Sequence, residues 1–353
     1  MITTMEIAKR LGISRGTVSR VLNNNPNVNV NTRQKVIEEI KKLEYVPNEA
    51  ARSLVMKRYN KIAVVVFSEP KFFWEQIEYG VNSASSELKS IGTTVDFFVT
   101  DILNPQSQLN LIEQLPQQGY DAIAIAPNDT QLLLEPIDKI IKDGTPVALF
   151  NVDIPATNRL YYIGCNYIKS GKLAAEILAK SMYGTGDICI LSLRDQVHSN
   201  EDRITGFRNE ISKYRNINIK FAMGFNRKSE CVYEETLNII KNNQNLKGIY
   251  VSFGALEQVG RAVIDTGKVG QIIVVGYDLS NEIGEYIKKD AITATICHEP
   301  FMQGYLCVKL LHKYLYKGTV PNSSILYTKL EVIFRNNVDY YLNEKDNFEM
   351  FKI

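Results

Sequence analysis

Residues 5–24, MEIAKRLGISRGTVSRVLNN, hold two short helical patterns separated by one glycine. Thr3 followed by Glu6 has the spacing of a capping box, and Ile7, Ala8 and Leu11 form the apolar face of the helix it opens. Gly12 ends that helix. Ser14 can cap the next one, whose apolar residues are Val18, Val21 and Leu22, leaving Arg15, Gly16, Thr17, Ser19 and Arg20 toward solvent. Two amphipathic helices joined by a tight glycine turn make a helix-turn-helix. A third pattern, with Asn29 as its cap and Val36, Ile37, Ile40 and Leu43 on one face, closes a three-helix core. From the helices alone, a small bundle with a solvated basic face and a DNA-binding unit are equally good readings.

Charge is unevenly distributed. Through residue 60 there are eleven Lys and Arg against five Asp and Glu, and after it thirty against thirty-four. A basic unit joined to a mildly acidic body confines the polyanion-binding surface to the N-terminus. The 353 residues, 45% hydrophobic, are enough for two or three domains. No apolar run approaches the roughly 18 residues of a membrane span, and a basic-then-apolar export signal is missing. The expectation is a soluble cytoplasmic protein, at work on the nucleoid, without membrane contact. The five cysteines, at 165, 189, 231, 297 and 307, are odd in number and never spaced as CxxC. That argues against a disulfide framework and against a zinc site.

From Lys61 the pattern changes to buried strands alternating with helices. KIAVVVF, TTVDFFV, YDAIAIA and TPVALF are separated by helical stretches around 74–91, 105–118 and 130–143. A second set, DICILSL, NIKFAMGF, LKGIYVS, QIIVVGY and AITATI, alternates with helices near 167–183, 200–214, 229–243, 255–267 and 281–289. Each set predicts a parallel α/β layer, hence two lobes. A helix at 301–317 and a strand around 325–334 are expected to cross between them.

The N-terminal segment resembles the headpiece of the lactose-repressor (LacI/GalR) family. The resemblance is carried by IAKRLGISRGTVSRVLN, then VNVNTRQKVIEEIKKLEYVPN, then ARSL. It implies that residues 14–22 form a recognition helix in the major groove, with Arg15, Gly16 and Arg20 facing bases. An Arg on such a helix can bond guanine O6 and N7 together. Thr3, Ser14, Thr17, Ser19, Asn23 and Asn27 suit phosphate contacts, which fix register. NEAARSLVM, residues 48–56, is helix-prone but shorter than the roughly 12 to 15 residues an isolated helix needs. The resemblance makes it a hinge helix that forms over DNA when two subunits meet. Leu54 would then wedge into the minor groove, with Ala51 and Arg52 beside it.

The body resembles the periplasmic-binding-protein type I fold, nearest to ribose-binding-like members. The matching stretches are FFWEQIEYGV at 72–81, APND at 126–129, FNVD at 150–153, R..GF at 203–207, VVGYD at 274–278 and ATICHEP at 294–300. All fall at strand ends or helix starts, where open α/β sheets place their ligands. The resemblance implies that Phe72 and Phe73 stack on a sugar ring, with Trp74 shaping the same wall. Asn151, Arg203 and Asp278 would bond hydroxyls, and Asn128, Asp153, His198 and His298 fill further polar positions. Two departures matter. Pro70-Lys71 stands where ribose-binding relatives have Asn-Pro, and His298 where they have Gln. The effector expected is therefore a monosaccharide or a cyclitol-like polyol, with a charged sugar left open.

The implied organisation is a headpiece at 1–47, a hinge helix and linker at 48–60, and an effector-binding and dimerisation domain at 61–345. Its first lobe is about 61–164 with 299–325, and its second about 165–298 with 326–345. Enzyme motifs are missing: no GxGxxG opens a helix after a strand, and GxxxxGK[ST] and HExxH do not occur. The three histidines lack metal-ligand spacing, and no cofactor is expected. The resulting expectation is a repressor that binds a pseudo-palindromic double-stranded operator as a homodimer and responds to a sugar. An exported sugar-binding protein or a sugar-acting enzyme are the alternatives. Salt-dependent DNA binding, secretion and turnover separate the three.

Overall fold

The computed structural model describes residues 2–22, 27–43, 45, 59–194, 198–226 and 231–342, with only the backbone of 198 and 199. The chain divides into two compact units, Met1–Arg58 and Tyr59–Ile353. The hinge helix expected from residue 48 lies outside the described residues as far as 58.

The first unit contains α1 (Thr4–Leu11), α2 (Arg15–Leu22) and α3 (Val30–Lys42). Its ends form as the sequence dictates. Thr3 accepts the Glu6 N–H at 3.3 Å, and Gly12 closes α1 in the left-handed conformation with φ 65°. The Asn29 side chain accepts the Asn31 N–H at 2.9 Å at the start of α3. Ile7, Ala8, Val18, Val21 and Val36 form the core, with Leu11, Leu22, Ile40 and Leu43 packed around it. Ile37 is a correction: it is 42% exposed, because it stands one residue round the helix from Val36 and the core is complete without it.

In the second unit the first sheet is built from β1 (Asn60–Phe67), α4 (Lys71–Lys89), β2 (Thr93–Thr100), α5 (Pro105–Gln114), β3 (Ala122–Ile125), α6 (Leu134–Lys142), β4 (Val147–Phe150) and β5 (Tyr162–Gly164). The second follows with α7 (Tyr167–Ser181), β6 (Thr185–Leu193), α8 (His198–Ile211), β7 (Asn216–Phe225), α9 (Val232–Asn242), β8 (Leu246–Val251), α10 (Leu256–Asp265), β9 (Ile273–Tyr277), α11 (Asn281–Lys288) and β10 (Ala294–Cys297). The chain then returns through α12 (Pro300–Lys317), β11 (Ile325–Tyr327), β12 (Glu331–Ile333) and α13 (Val338–Leu342). The strand orders are β11-β5-β4-β3-β1-β2 and β12-β10-β9-β8-β6-β7. Central strands are apolar on both faces because helices cover both sides: Ile62 to Val66 are wholly buried.

The single strand expected at 325–334 is in fact two. β11 pairs parallel with β5 in the first sheet, and β12 pairs antiparallel with β10 in the second, so the chain changes lobe between residues 327 and 331. β5 was not anticipated, being only three residues long. The helix expected over 105–118 stops at Gln114, because Pro116 has no N–H to continue it and starts a 3-10 turn. The helix expected from 130 begins later, since the Asp129 carboxylate holds the Gln131 and Leu132 N–H groups in a turn of its own.

Each lobe contains one helix pair brought together by reciprocal glycines. A Cβ on Gly80 of α4 would stand 2.1 Å from the Phe301 carbonyl oxygen, and one on Gly304 of α12 would stand 2.2 Å from that of Ile77. In the second lobe, Gly171 of α7 meets the Arg203 carbonyl oxygen at 2.0 Å and Gly206 of α8 meets that of Ile168 at 2.0 Å, measured the same way. Only residues without a Cβ allow backbones this close. The second pair brings the backbone of Arg203, on α8, directly against α7.

Candidate functional site

The first candidate surface is α2. The Thr17 N–H bonds to Ser14 Oγ at 3.1 Å, and the two hydroxyls lie 2.9 Å apart. Ser14 and Thr3 thus serve first as caps. Arg15, Gly16, Ser19 and Arg20 are exposed, while Val18 and Val21 face inward. Arg15 and Arg20 have no ion-pair or hydrogen-bond partner among the described residues. Arg10 of α1, by contrast, lies 3.7 Å from Glu39 and 4.0 Å from Glu6. A Cβ on Gly16 would meet nothing but Ser14 Oγ at 3.7 Å, so packing within the unit does not require glycine there. Asn27 is exposed. Asn23, Ala51, Arg52 and Leu54 lie outside the described residues.

The second candidate is a cleft of about 120 Å³ between the lobes, at the carboxyl ends of the strands of both sheets. Phe73, Trp74, Asn151, Arg203, Asp278 and His298 line it together. Two of them adopt conformations that ordinary residues avoid. Asn151 follows β4 with φ 61°, and Asp278 follows β9 with φ 66°. Asn and Asp tolerate this left-handed region best, and neighbours hold both backbones there. The Asn151 carbonyl accepts hydroxyls from Tyr162 at 2.8 Å and Tyr167 at 2.6 Å, and its N–H donates to Ile163 at 2.8 Å. Asp278 donates its N–H to Ile296 at 3.1 Å and accepts the Thr295 hydroxyl at 2.6 Å.

Arg203 is the dominant group. It is 9% exposed, its Nη1 donates to the Ser252 carbonyl at 3.0 Å, and its guanidinium lies 3.7 Å from the centre of the Tyr277 ring. Burial works against the charge, but Tyr277 and Asp278 outweigh it and raise the pKa further, so the cation persists. Nε is buried with no partner among the described residues. Opposite sits His298, 3% exposed. The Gln303 amide donates to its Nδ1 and to its carbonyl oxygen, each at 2.8 Å. The imidazole proton is thereby placed on Nε2, 3.4 Å from Asp278 Oδ1. Phe73 lies 5.1 Å, ring to ring, from both His298 and Trp74. The cleft therefore combines a fixed cation, a carboxylate, an imidazole and two aromatic rings, the equipment for binding adjacent hydroxyls over an apolar ring face.

Three expected cleft residues lie elsewhere. Asp153 forms a two-toothed ion pair with Arg159, at 2.5 and 2.6 Å, and is occupied by structure. Phe72, one residue round α4 from Phe73, lines a different cavity. Asn128 is buried and does not line the cleft, although its neighbour Pro127 does, and its side-chain oxygen and nitrogen have no partner among the described residues. The side chain of His198 lies outside the described residues. Tyr167, Asn200 and Ser252 line the cleft without having been anticipated. Asn200 Nδ2 donates to the Leu193 carbonyl and Asn200 Oδ1 accepts the Ser252 hydroxyl, which ties the start of α8, the helix that carries Arg203, to the ends of β6 and β8. Their only sequence signal was position: each stands at a strand end or a helix start. The described Cys165 thiol, packed behind this wall, is pushed up to about 12 by burial and is no nucleophile. Among the described residues no three His, Cys, Asp or Glu are grouped to hold a metal ion.

Comparison with known proteins fits both units. Residues 62–319 match the periplasmic binding protein domain, and residues 3–48 match bacterial regulatory proteins of the lacI family. The D-allose-binding periplasmic protein of Escherichia coli (strain K12) is 26% identical over 259 residues, covering 70% of this chain and 82% of that protein. Catabolite control protein A of Priestia megaterium is 28% identical over 181 residues, covering 51% of this chain and 52% of that protein, so the alignment spans about half of each. The crystal structure of GanP, a glucose-galactose binding protein from Geobacillus stearothermophilus, superposes with a TM-score of 0.73 at 21% identity, over 79% of this chain and 99% of that one. With the lacI-type segment in front of a periplasmic-binding-protein body, the chain belongs to the LacI family of bacterial regulatory proteins.

Proposed function

We propose that the protein is a sugar- or polyol-responsive transcriptional repressor that binds operator DNA through α2 and its effector in the cleft around Arg203. One observation carries the reading. A helix with two exposed arginines and an open glycine, the arginines unpaired among the described residues, stands in the same chain as a cleft built on a buried guanidinium whose Nε has no partner among them. Arg15 and Arg20 supply base contacts, with Ser19 and Asn27 positioned for phosphates. Working as a homodimer in the cytoplasm, the protein reads a pseudo-palindromic operator, and Leu54 with Ala51 and Arg52 inserts into the minor groove at its centre.

The effector reading rests on Phe73, Trp74, Asn151, Arg203, Asp278 and His298. A cleft of about 120 Å³ is smaller than the roughly 300 Å³ at which ligand pockets usually begin, so a sugar enters when the lobes part. Closure on the ligand then favours one arrangement of the paired subunits over another, and operator affinity changes by that difference. The role is binding rather than turnover. Calorimetry against monosaccharides and inositols, followed by operator binding with and without the best ligand, tests it. Tight binding of a sugar that leaves operator affinity unchanged contradicts the regulatory reading, and consumption of the sugar contradicts the non-enzymatic one.

A further inference from the structure

We propose that the body holds a second site, for a polyamine-type organic cation, in a cavity of about 650 Å³ on the flank of the lobes where α12 begins. The cavity belongs to both lobes: α4 and the start of α12 form one side, and the segments around residues 280, 331 and 341 the other. Its charge is one-sided. Glu75, Glu257, Glu282, Glu299 and Glu331 line it, and the described lining includes no Lys, Arg or His.

Four of these carboxylates find mainly neutral or exposed partners. Glu257 accepts the Ser280 hydroxyl, Glu282 that of Tyr286 at 2.9 Å, and Glu299 the Lys329 backbone N–H at 2.7 Å. Glu75 lies 3.7 Å from Lys71, whose side chain is 81% exposed. Glu331 has no hydrogen-bond or ion-pair partner among the described residues. Burial, and after it the nearby Glu299, pushes its carboxyl above the usual range, with Lys329 nearby acting the other way.

The remaining walls are aromatic. Phe72, Tyr79, Phe301 and Tyr341 line the cavity, and the Tyr79 and Phe301 rings lie 5.5 Å apart. Carboxylates interleaved with ring faces are what an ammonium group seeks, through ion pairing and attraction to the π face. The volume falls within the usual range for small-molecule pockets. Several carboxylates spread around one cavity match a ligand with several separated positive charges better than a single metal ion. The effector cleft has the opposite character, with Arg203 at its centre. Phe72 and Phe73, adjacent on the first turn of α4, face the two cavities in turn, so a ligand in the large one bears on the helix that walls the small one.

The test uses the full-length protein with spermidine as probe and magnesium as control, both at fixed ionic strength. Spermidine should bind by calorimetry and raise the melting temperature, and magnesium should do neither. Glu282→Gln combined with Glu331→Gln should weaken spermidine at least tenfold without lowering the melting temperature of the unliganded protein. Phe301→Leu should weaken it by a smaller factor, and Glu113→Gln, on an exposed helix position elsewhere, should leave it unchanged. Equal spermidine affinity in the double variant and the wild type overturns the proposal, as does equal stabilisation by magnesium. A double variant that shifts the monomer–dimer equilibrium in sedimentation, with spermidine binding unchanged, also overturns it and makes the cavity an interface between copies.

Discussion

The two candidate surfaces of this protein, α2 and the cleft around Arg203, are constructed in opposite ways. On α2 the polar groups project from one short helix, their backbone settled by the Ser14 cap and by Val18 and Val21 beneath, and the arginines bond nothing among the described residues. In the cleft every functional group is also a structural one. Asn151 is fixed by two tyrosine hydroxyls, Asp278 by Thr295 and Ile296, His298 by Gln303, and Arg203 by Ser252 and the Tyr277 ring. A recognition surface built outward can change specificity without touching stability. One built inward cannot, because binding and folding draw on the same contacts.

That contrast can be broken experimentally, beginning with the largest effect. Gly206→Ala places a methyl 2.0 Å from the Ile168 carbonyl. It should destabilise the body by about 3 kcal/mol, the upper end for overpacking, and weaken effector binding with it. Urea denaturation and calorimetry measure both, and wild-type values in either would mean that the helix pair does not set the cleft. Arg203→Lys keeps the charge but loses the planar fork. Effector affinity should fall roughly ten- to a hundredfold, as when hydrogen bonds to a charged group are lost. Ligand-free operator affinity should be unchanged, and a parallel loss there would show that the variant has damaged the fold rather than the site.

On the outward surface, Arg20→Ala should cost about 1 to 3 kcal/mol on the specific operator and relax discrimination at one base pair. The urea midpoint should not move. Equal weakening on all sequences would make Arg20 a phosphate contact. At Asp278 the informative substitution is to Asn, which tolerates φ 66° and removes only the charge. It should cost the effector about 1 kcal/mol, whereas Asp278→Ala adds roughly 1 kcal/mol or more of backbone strain and lowers stability as well. Identical behaviour of the two variants would argue that the left-handed backbone is not under strain. The smallest effect is at Gly16. Ala there should stabilise the headpiece by about 0.5 to 1 kcal/mol, since its Cβ enters open space. Weaker operator binding by the same variant would show that DNA needs the gap.

The same contrast explains what could be read from the sequence. The caps of α1 and α3, the glycine turn and the outward arginines are local, decided by residues three or four apart, and the headpiece was legible almost in full. Ile37 misled because both it and Val36 are apolar and only packing chooses between them. In the body, alternation marked the long strands and their ends marked the cleft, but not which polar group would be free there. Asp153 looked like a ligand until Arg159, six residues away, claimed it. Phe72 and Phe73 could not be told apart without the orientation of α4. Tyr167, Asn200 and Ser252 carry no motif, and they reach the cleft only because the topology brings the starts of α7 and α8 and the end of β8 together there.

The central claim is that one chain couples a buried sugar site to an exposed DNA surface. Its most direct test is operator affinity of the full-length protein, titrated with the best-bound monosaccharide or inositol, in wild type and in Arg203→Lys. The wild type should change operator affinity by at least about fivefold on saturation, the lower end of ordinary allosteric coupling, and the variant should hold its ligand-free affinity throughout the same titration. A wild type that binds the sugar and keeps the same operator affinity, or a variant that responds as the wild type does, contradicts the account.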